Sequence, residues 1–359
     1  MNEYTIKVLA EDQVAEAQSL MKRCFEQNLH SIFFLHPNTT LVALFEGRIV
    51  AGLNLDVYKV NKTVTMGYIG WLYTDSNHRG MGLAGRLIDE ALLFCKSKGC
   101  TDIAGCVEGD NPASFKQLER RGFLRIGLLG QALRFRQGMF RVYHHASRFF
   151  DMGYFLWHKS LDQRKVVPSA TNGKALVYTL LANTLLFLPV IFMINIPMLF
   201  NFPQANTERW PLLLLLPSLT ILVRSLAMYL VAKRHKVVVE YHQWDTAYIT
   251  GLLFPLLTSM SFPVPGNIYL EDSNVSHTEY NSLLSKMALA SVFATGSLLI
   301  VFHAFSLFPY PLVLLVMDTL FFFYPFCGFN ASRIKRGSKK TKITAFSVLL
   351  VCLLYLLLY

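Results

Sequence analysis

The stretch TDSNHRGMGLAGRL, Thr74–Leu87, carries the residue types and spacing that hold a phosphate. Gly80, Gly82 and Gly85 leave the backbone bare enough for an anion to come close. The helix expected next, LAGRLIDEALLFCKSKG, starts with unpaired N–H groups and the positive end of its dipole. Arg79 adds a charged fork at the rim. Such a loop suits a pyrophosphate. Two nucleotide-binding patterns are excluded. A dinucleotide fingerprint follows the first strand of a βαβ unit and has an acidic residue about 20 positions on. Here the loop follows roughly the fourth expected strand, after a hairpin. The pattern G-x-x-x-x-G-K-[ST] is absent.

The elements around the loop read as a mixed α/β domain. Residues 4–9 are a short strand, and EDQVAEAQSLMKRCF has helical apolar spacing with an acidic start. TTLVALFEGRIVAGLNLDVYKV reads as a hairpin turning at EGR, and VTMGYIGWLYTD as a long apolar strand. After the loop and its helix come a strand, CTDIAGCVEGD, a short helix, NPASFKQLERRGF, and a strand, LRIGLLGQALRF.

Arg79-Gly80-Met81-Gly82-Leu83-Ala84 resembles the R/Q-x-x-G-x-G/A signature of the GNAT superfamily of acetyl-CoA-dependent N-acetyltransferases. NPASFKQLERRGF, which begins at Asn111, is similar to that family's N-x-x-A-x-x-L-Y-x-K-x-G-F helix, with Asn111, Arg120, Gly122 and Phe123 matching. The resemblance covers roughly residues 3–137. It implies acetyl-CoA, or another acyl-CoA, wedged between two splayed central strands, and no metal. The pyrophosphate would rest on the backbone N–H groups of Arg79, Gly80, Met81, Gly82, Leu83, Ala84 and Gly85. Backbone groups of Leu72, Tyr73 and Thr74 would hold the pantetheine arm, with Asn111 and Ser114 beside the thioester. The amine would attack the thioester directly in a ternary complex.

The sequence departs from the family in two places. The Tyr that protonates the leaving thiolate is replaced by Leu118, and the strand before the loop has no acid. Candidate bases are then Asp56, Glu108 and Asp110, with His78 further from the expected thioester end, and Tyr73 is a candidate proton donor. A thiolate can also leave without a dedicated acid.

The rest of the chain belongs to another class. The protein has 359 residues, 53% of them hydrophobic, and a formal charge of +11. Up to about residue 158 the charges are scattered; beyond about 175 long apolar runs alternate with short polar loops, as in a membrane protein. The amino-terminal stretch has no apolar signal region, so the first domain is expected to be cytoplasmic. The six cysteines show no CxxC pair or metal-ligand spacing and read as reduced, mostly buried thiols. Three domains are expected: 1–137, acyl-CoA-binding; 138–174, a juxtamembrane segment; and 175–359, an all-α polytopic membrane domain. Between Arg134 and Lys174 stand eight basic residues and two acidic ones, interleaved with aromatics, which suits anionic lipid headgroups rather than nucleic acid.

Spans are expected at about 175–200, 211–232, 283–305, 309–328 and 343–359. The proline-broken run 247–266 is expected to be re-entrant or interfacial. Five crossings keep AKRHK and SRIKRGSKKTK on the inner side and place the C-terminus opposite. LVRSLAMYLVAKRHK and YPFCGFNASRI resemble the two zinc-binding regions of site-2 intramembrane proteases. Arg224, Ser225 and Met228 stand at the positions of His, Glu and His, and Cys327 at that of Asp. The resemblance implies a protease-like fold without its metal. Arg224 and Asp318, costly in lipid, either line a polar pocket near His303 or pair with each other. The chain as a whole reads as a membrane-bound N-acetyltransferase for a membrane-associated amine: a lipid headgroup, an amphiphile or a membrane protein. The alternative is a non-catalytic acyl-CoA sensor.

Overall fold

A computed structural model describes residues 4–146, 152–191, 210–258, 260–271, 276–305, 309–323 and 327–358. The chain divides into two compact units, Met1–Arg148 with Phe155–Ser169, and Phe149–Tyr154 with Ala170–Tyr359.

The first unit is built on a seven-stranded sheet of order β1-β2-β3-β4-β5-β7-β6. Its strands are β1 (Thr5–Val8), β2 (Leu41–Phe45), β3 (Arg48–Lys59), β4 (Thr65–Thr74), β5 (Asp102–Glu108), β6 (Leu124–Ile126) and β7 (Tyr154–Ser160). The expected hairpin turns at Glu46-Gly47, where both residues have positive φ, 50° and 79°. That is the geometry a tight two-residue turn requires. Five helices flank the sheet: α1 (Val14–Cys24), α2 (Leu83–Ser97), α3 (Pro112–Glu119), α4 (Leu128–Phe135) and α5 (Met139–His145). Ala17, Leu20 and Met21 of α1 pack with Val42, Ile49 and Tyr73. Phe135 and Val142 of α4 and α5 pack with Met66, Tyr68 and Leu156.

Two expectations for this unit are corrected. LRIGLLGQALRF is a strand only over Leu124–Ile126 and is a helix from Leu128. Gln131 and Phe135, four apart, are both fully buried, and Gln131 Nε2 donates to the Ile126 carbonyl at 2.9 Å. The helical period wins over alternation there. The domain boundary lies near Ser169 rather than at 137. Tyr154–Ser160, expected in an interfacial segment, is a strand of the sheet, with Phe155, Leu156 and Trp157 buried.

A buried polar knot ties β5, α4 and β7 together. Asp102 accepts from Arg134 Nε (2.7 Å) and Nη2 (2.6 Å), His158 Nε2 (2.6 Å) and Thr101 Oγ1 (2.6 Å). Burial pushes the Asp102 carboxyl up, but the hydrogen bonds from His158, Arg134 and Thr101 outweigh it and bring it down to about 2.

The second unit is mostly helical: α6 (Asn172–Ile191), α7 (Trp210–Arg234), α8 (Tyr248–Thr258), α9 (His277–His303), α10 (Pro309–Leu320), α11 (Asn330–Arg336) and α12 (Lys339–Leu358), with one hairpin, β8 (Val239–His242) and β9 (Asn267–Leu270). Four of these helices are long and apolar enough to cross a membrane: Asn172–Ile191, Pro211–Arg234, His277–His303 and Lys339–Leu358. Their outward faces are apolar, as at Leu181, Leu185, Leu226, Leu230, Leu350 and Leu354. The expected span 309–328 is helical only over 12 residues, about 18 Å at the rise of an α-helix, against roughly 30 Å of hydrocarbon. Among the described residues, the five expected spans are four long helices and a short one. Residues 192–200 of the first expected span lie outside the described residues.

The broken run 247–266 does not form a spanning helix. After α8, residues 260–266 have no regular structure. Side chains of the bundle bond the backbone of Val264, Pro265 and Gly266. Asn183 Nδ2 donates to the Val264 carbonyl (2.8 Å), and Val264 N–H donates back to Asn183 Oδ1 (2.9 Å). Tyr241 Oη donates to the Pro265 carbonyl and Arg224 Nη1 to that of Gly266 (3.3 Å). Non-helical backbone inside an apolar bundle requires such partners. Arg224 and Asp318, both fully buried, form a two-pronged ion pair, Nε–Oδ2 2.7 Å and Nη2–Oδ1 3.1 Å. His303 is apart from them, with its ring against Tyr355. Of the two expectations, the pair is what forms.

Candidate active site

β4 and β5 run parallel and pair for only four steps, Met66–Ile69 against Asp102–Gly105. β4 then continues to Thr74 and β5 to Glu108 without a ladder between them. On its other side β4 stays paired with β3 as far as Ala51↔Thr74. The result is a wedge with a free backbone edge on each side, open toward the C-terminal ends of both strands. A bulge marks its apex. Asn54 pairs with Trp71 and Leu55 with Ile69, so Gly70 is the extra residue. A side chain there would overlap the Phe34 ring. A bulge re-aims the residues after it, and Trp71 and Tyr73 turn to α1.

The phosphate loop closes the β4 side of the wedge. Gly80 and Gly82 have φ of 79° and 73°, and no atom lies within 4 Å of a Cβ built on either. Both residues therefore face open space in a conformation that glycine adopts without strain. Gly82 precedes α2 with no side-chain cap, and the first helical bond runs from Arg86 N–H to the Gly82 carbonyl at 3.1 Å. The N–H groups of Leu83, Ala84 and Gly85 precede that bond, at the positive end of the helix. This cradle fits a pyrophosphate, and the free strand edge beside Leu72–Thr74 fits an extended pantetheine arm.

Comparison with known proteins agrees with this geometry. Residues 5–123 match the acetyltransferase (GNAT) family. N-alpha-acetyltransferase 30 of Schizosaccharomyces pombe (strain 972 / ATCC 24843) is 33% identical over 97 residues, 26% of this chain. The chain spans 63% of that protein's length. Among solved structures, the NatC complex bound to Gag peptide and CoA aligns over 44% of this chain and 99% of its own, at 20% identity and TM-score 0.34. Arabidopsis thaliana Naa50 with the bisubstrate analogue CoA-Ac-MVNAL aligns over 44% and 99%, at 14% identity and TM-score 0.33. None of these likenesses concerns a protease.

Within the first unit the expected site residues separate into groups. Arg79 is exposed, with Nε 3.4 Å from the Thr74 carbonyl, and Met81 is 58% exposed. Leu83 is buried and anchors the first turn of α2, while Ala84 is half-buried. Asn111 Oδ1 caps α3 by accepting from the Ser114 N–H at 3.2 Å. Glu108 ends β5, and Asp110 is buried between it and α3. These two acids stand at the β5 lip of the wedge.

Three placements differ from expectation. Gly85 does not serve the phosphate by lacking a side chain. A Cβ there would overlap the Arg121 guanidinium, which is held on Asp89 by bonds of 2.7 and 2.8 Å. Gly85 is small so that α2 and α3 can approach. The Tyr73 side chain is only 3% exposed and packs into the α1 core, where burial raises its hydroxyl pKa well above the usual tyrosine value. His78 bonds to Tyr4 Oη at 3.1 Å and lies against Phe45, at the β1–β2 edge of the sheet.

The structure adds one arrangement that the sequence does not display. Asp56 Oδ2 lies 3.1 Å from His145 Nδ1, and the His145 ring stacks on Tyr58 at 3.8 Å. Asp56 faces Tyr68 across the β3–β4 pair, one residue before the last step at which β4 holds β5. Both side chains are partly exposed. Nothing in local spacing links positions 89 residues apart.

Proposed function

We propose that the protein is a membrane-bound N-acetyltransferase that moves an acetyl group from acetyl-CoA to a primary amine of a membrane-associated acceptor. The observation that carries this reading is the wedge between β4 and β5 with its open glycine cradle, inside a domain that matches the GNAT family. The loop N–H groups hold the pyrophosphate. The edge at Leu72–Thr74 lays the pantetheine along β4 and brings the thioester to the bulge at Gly70. A neutral amine attacks the carbonyl carbon, the C–S bond breaks, and the thiolate leaves as CoA. The Asp56–His145 pair takes the proton the amine sheds, with Glu108 and Asp110 beside the β5 lip. The name of the yeast relative favours the α-amine of a polypeptide as acceptor.

The membrane is part of the reading. The second unit brings four long apolar helices. In the first unit, Leu129, Leu133 and Phe140 are exposed on α4 and α5, and Arg136 and Arg141 are exposed on the same stretch. An apolar face with basic neighbours suits anionic headgroups. The acyl-CoA side is cytoplasmic, where acyl-CoA is found. Tethering raises the effective concentration of a membrane-bound amine without new contacts.

The test is release of free CoA from acetyl-CoA by purified, detergent-solubilised protein given amines from a membrane extract. Release that needs the extract and disappears in Gly82→Arg supports the enzyme. A second reading is favoured by the buried Leu118 at the family's Tyr position: a non-catalytic acyl-CoA sensor whose second unit is a degenerate protease-like fold. Saturable acetyl-CoA binding without release across many amines would move the assignment to the sensor.

A further inference from the structure

We propose that Glu240, His242 and Glu271, in the second unit, bind one divalent transition-metal ion. Glu240 and His242 are two apart on β8 and so share a face. β9 pairs with β8 in the register Glu240↔Tyr269 and His242↔Asn267. Glu271 extends that ladder, its N–H donating to the Val238 carbonyl at 3.1 Å, and alternation places it on the face of Tyr269 and Asn267. The opposite face, Tyr241, Ile268 and Leu270, belongs to the bundle core. The three polar side chains thus share the other face of one hairpin, with the buried Asn267 and Tyr269.

Their donor atoms converge without touching. His242 Nε2 is 3.7 Å from Glu240 Oε2 and 3.8 Å from Glu271 Oε1, and the three ligand atoms lie within 4.8 Å of one another. These separations exceed a hydrogen bond. They match two ligands of one ion, which at bond lengths of about 2.0–2.2 Å stand roughly 3.3–4.4 Å apart. His242 is buried, with its ring stacked on Tyr269 at 5.3 Å and 19°, so the imidazole is fixed in direction. The carboxylates are 34% and 29% exposed, which leaves an entry path and room to close by a few tenths of an ångström.

The donor set selects the ion. An imidazole among the ligands disfavours Mg²⁺ and Ca²⁺, and the absence of a thiolate disfavours soft ions. Zn²⁺ or Mn²⁺ fits, with three protein ligands and an exchangeable water. The ion clips β8 to the end of β9.

The experiment uses the full chain in detergent, free of any histidine tag and stripped with EDTA. Zn²⁺ is titrated by calorimetry and against a chromophoric chelator, with Ca²⁺ in excess as competitor. One Zn²⁺ per chain is expected, with affinity falling at least tenfold in Glu240→Gln and in Glu271→Gln and unmoved by Ca²⁺. Zn²⁺ should raise the thermal midpoint of the wild type and leave both variants where they were. These variants keep the buried imidazole, so loss of binding is not loss of fold. No saturable binding, equal binding in the variants, or displacement by Ca²⁺ overturns the proposal.

Discussion

Asp56 Oδ2 and His145 Nδ1 stand 3.1 Å apart, one on β3 and the other at the end of α5. The carboxylate orients the imidazole so that its other nitrogen is free to take a proton, an arrangement suited to a general base. His145→Gln should lower turnover about 100-fold, within the usual range for a general base, and leave acetyl-CoA affinity unchanged. Asp56→Asn, which loses only the orientation, should cost about tenfold on the same scale. Added imidazole should restore part of the activity of His145→Gly. Steady-state rates with binding isotherms check this, and full activity in His145→Gln would remove the pair from the mechanism.

The glycines of the loop should separate binding from folding. Gly82 has φ 73° and open space beside it. Gly82→Arg should cost roughly 1–2 kcal/mol in backbone strain and weaken acetyl-CoA binding by at least tenfold. Gly85→Ala meets the Arg121 guanidinium instead. It should change the stability of the domain by about 1 kcal/mol or less, because the Arg121 tip can shift and alanine favours a helix, with acetyl-CoA affinity changed less than threefold. Calorimetric titration beside thermal melts distinguishes the two effects.

What the sequence displayed and what it hid follow from the range of the interactions. The helix at Leu83–Ser97, the hairpin turning at Glu46-Gly47 and the cap Asn111 rest on residues a few positions apart, so periodicity and turn chemistry show them. The wedge was legible through the family motif alone, because a gap between strands has no residue type of its own. LRIGLLGQALRF misled because a mostly apolar run fits either period until the neighbours are known. Trp157 lies in the basic, aromatic stretch read as interfacial, and only the β6–β7 register shows it to be a strand residue, paired with Arg125. Asp56–His145 and Glu240–His242–Glu271 are long-range meetings. Glu-x-His on a short strand was the one local hint of the latter.

Asp102 sets the acid limit of the first unit. Its carboxyl is held at about 2, below the ordinary aspartate value of 3.8. The unfolded chain therefore binds the proton more readily than the folded one. The stabilisation is fully present above about pH 4 and is lost as pH falls through 2, an amount on the order of 2 kcal/mol. Asp102→Asn removes the carboxylate that Arg134 and His158 share and leaves Arg134 only Asp162, at 3.1 Å, which should cost about 3 kcal/mol. Denaturant unfolding at pH 7 and at pH 3 checks both: the wild type should lose stability between them, and the variant should lose much less.

The Arg224–Asp318 pair tests whether the second unit keeps a polar pocket or a structural clasp. Asp318 also accepts from Ser291 Oγ (3.1 Å) and from Asn330 N (3.0 Å) and Nδ2 (3.1 Å), so its carboxylate is fully engaged. A clasp predicts that Arg224→Met and Asp318→Asn each leave an uncompensated buried charge. Each should destabilise the unit by about 3–5 kcal/mol. Arg224→Met combined with Asp318→Leu should recover most of the loss, because replacing a whole buried pair by apolar groups is close to neutral. A substrate pocket predicts the reverse: single variants of near-normal stability with altered acceptor use. Thermal unfolding of the four proteins in detergent, read beside CoA release, decides between them. Recovery in the double variant is the result a pocket cannot give.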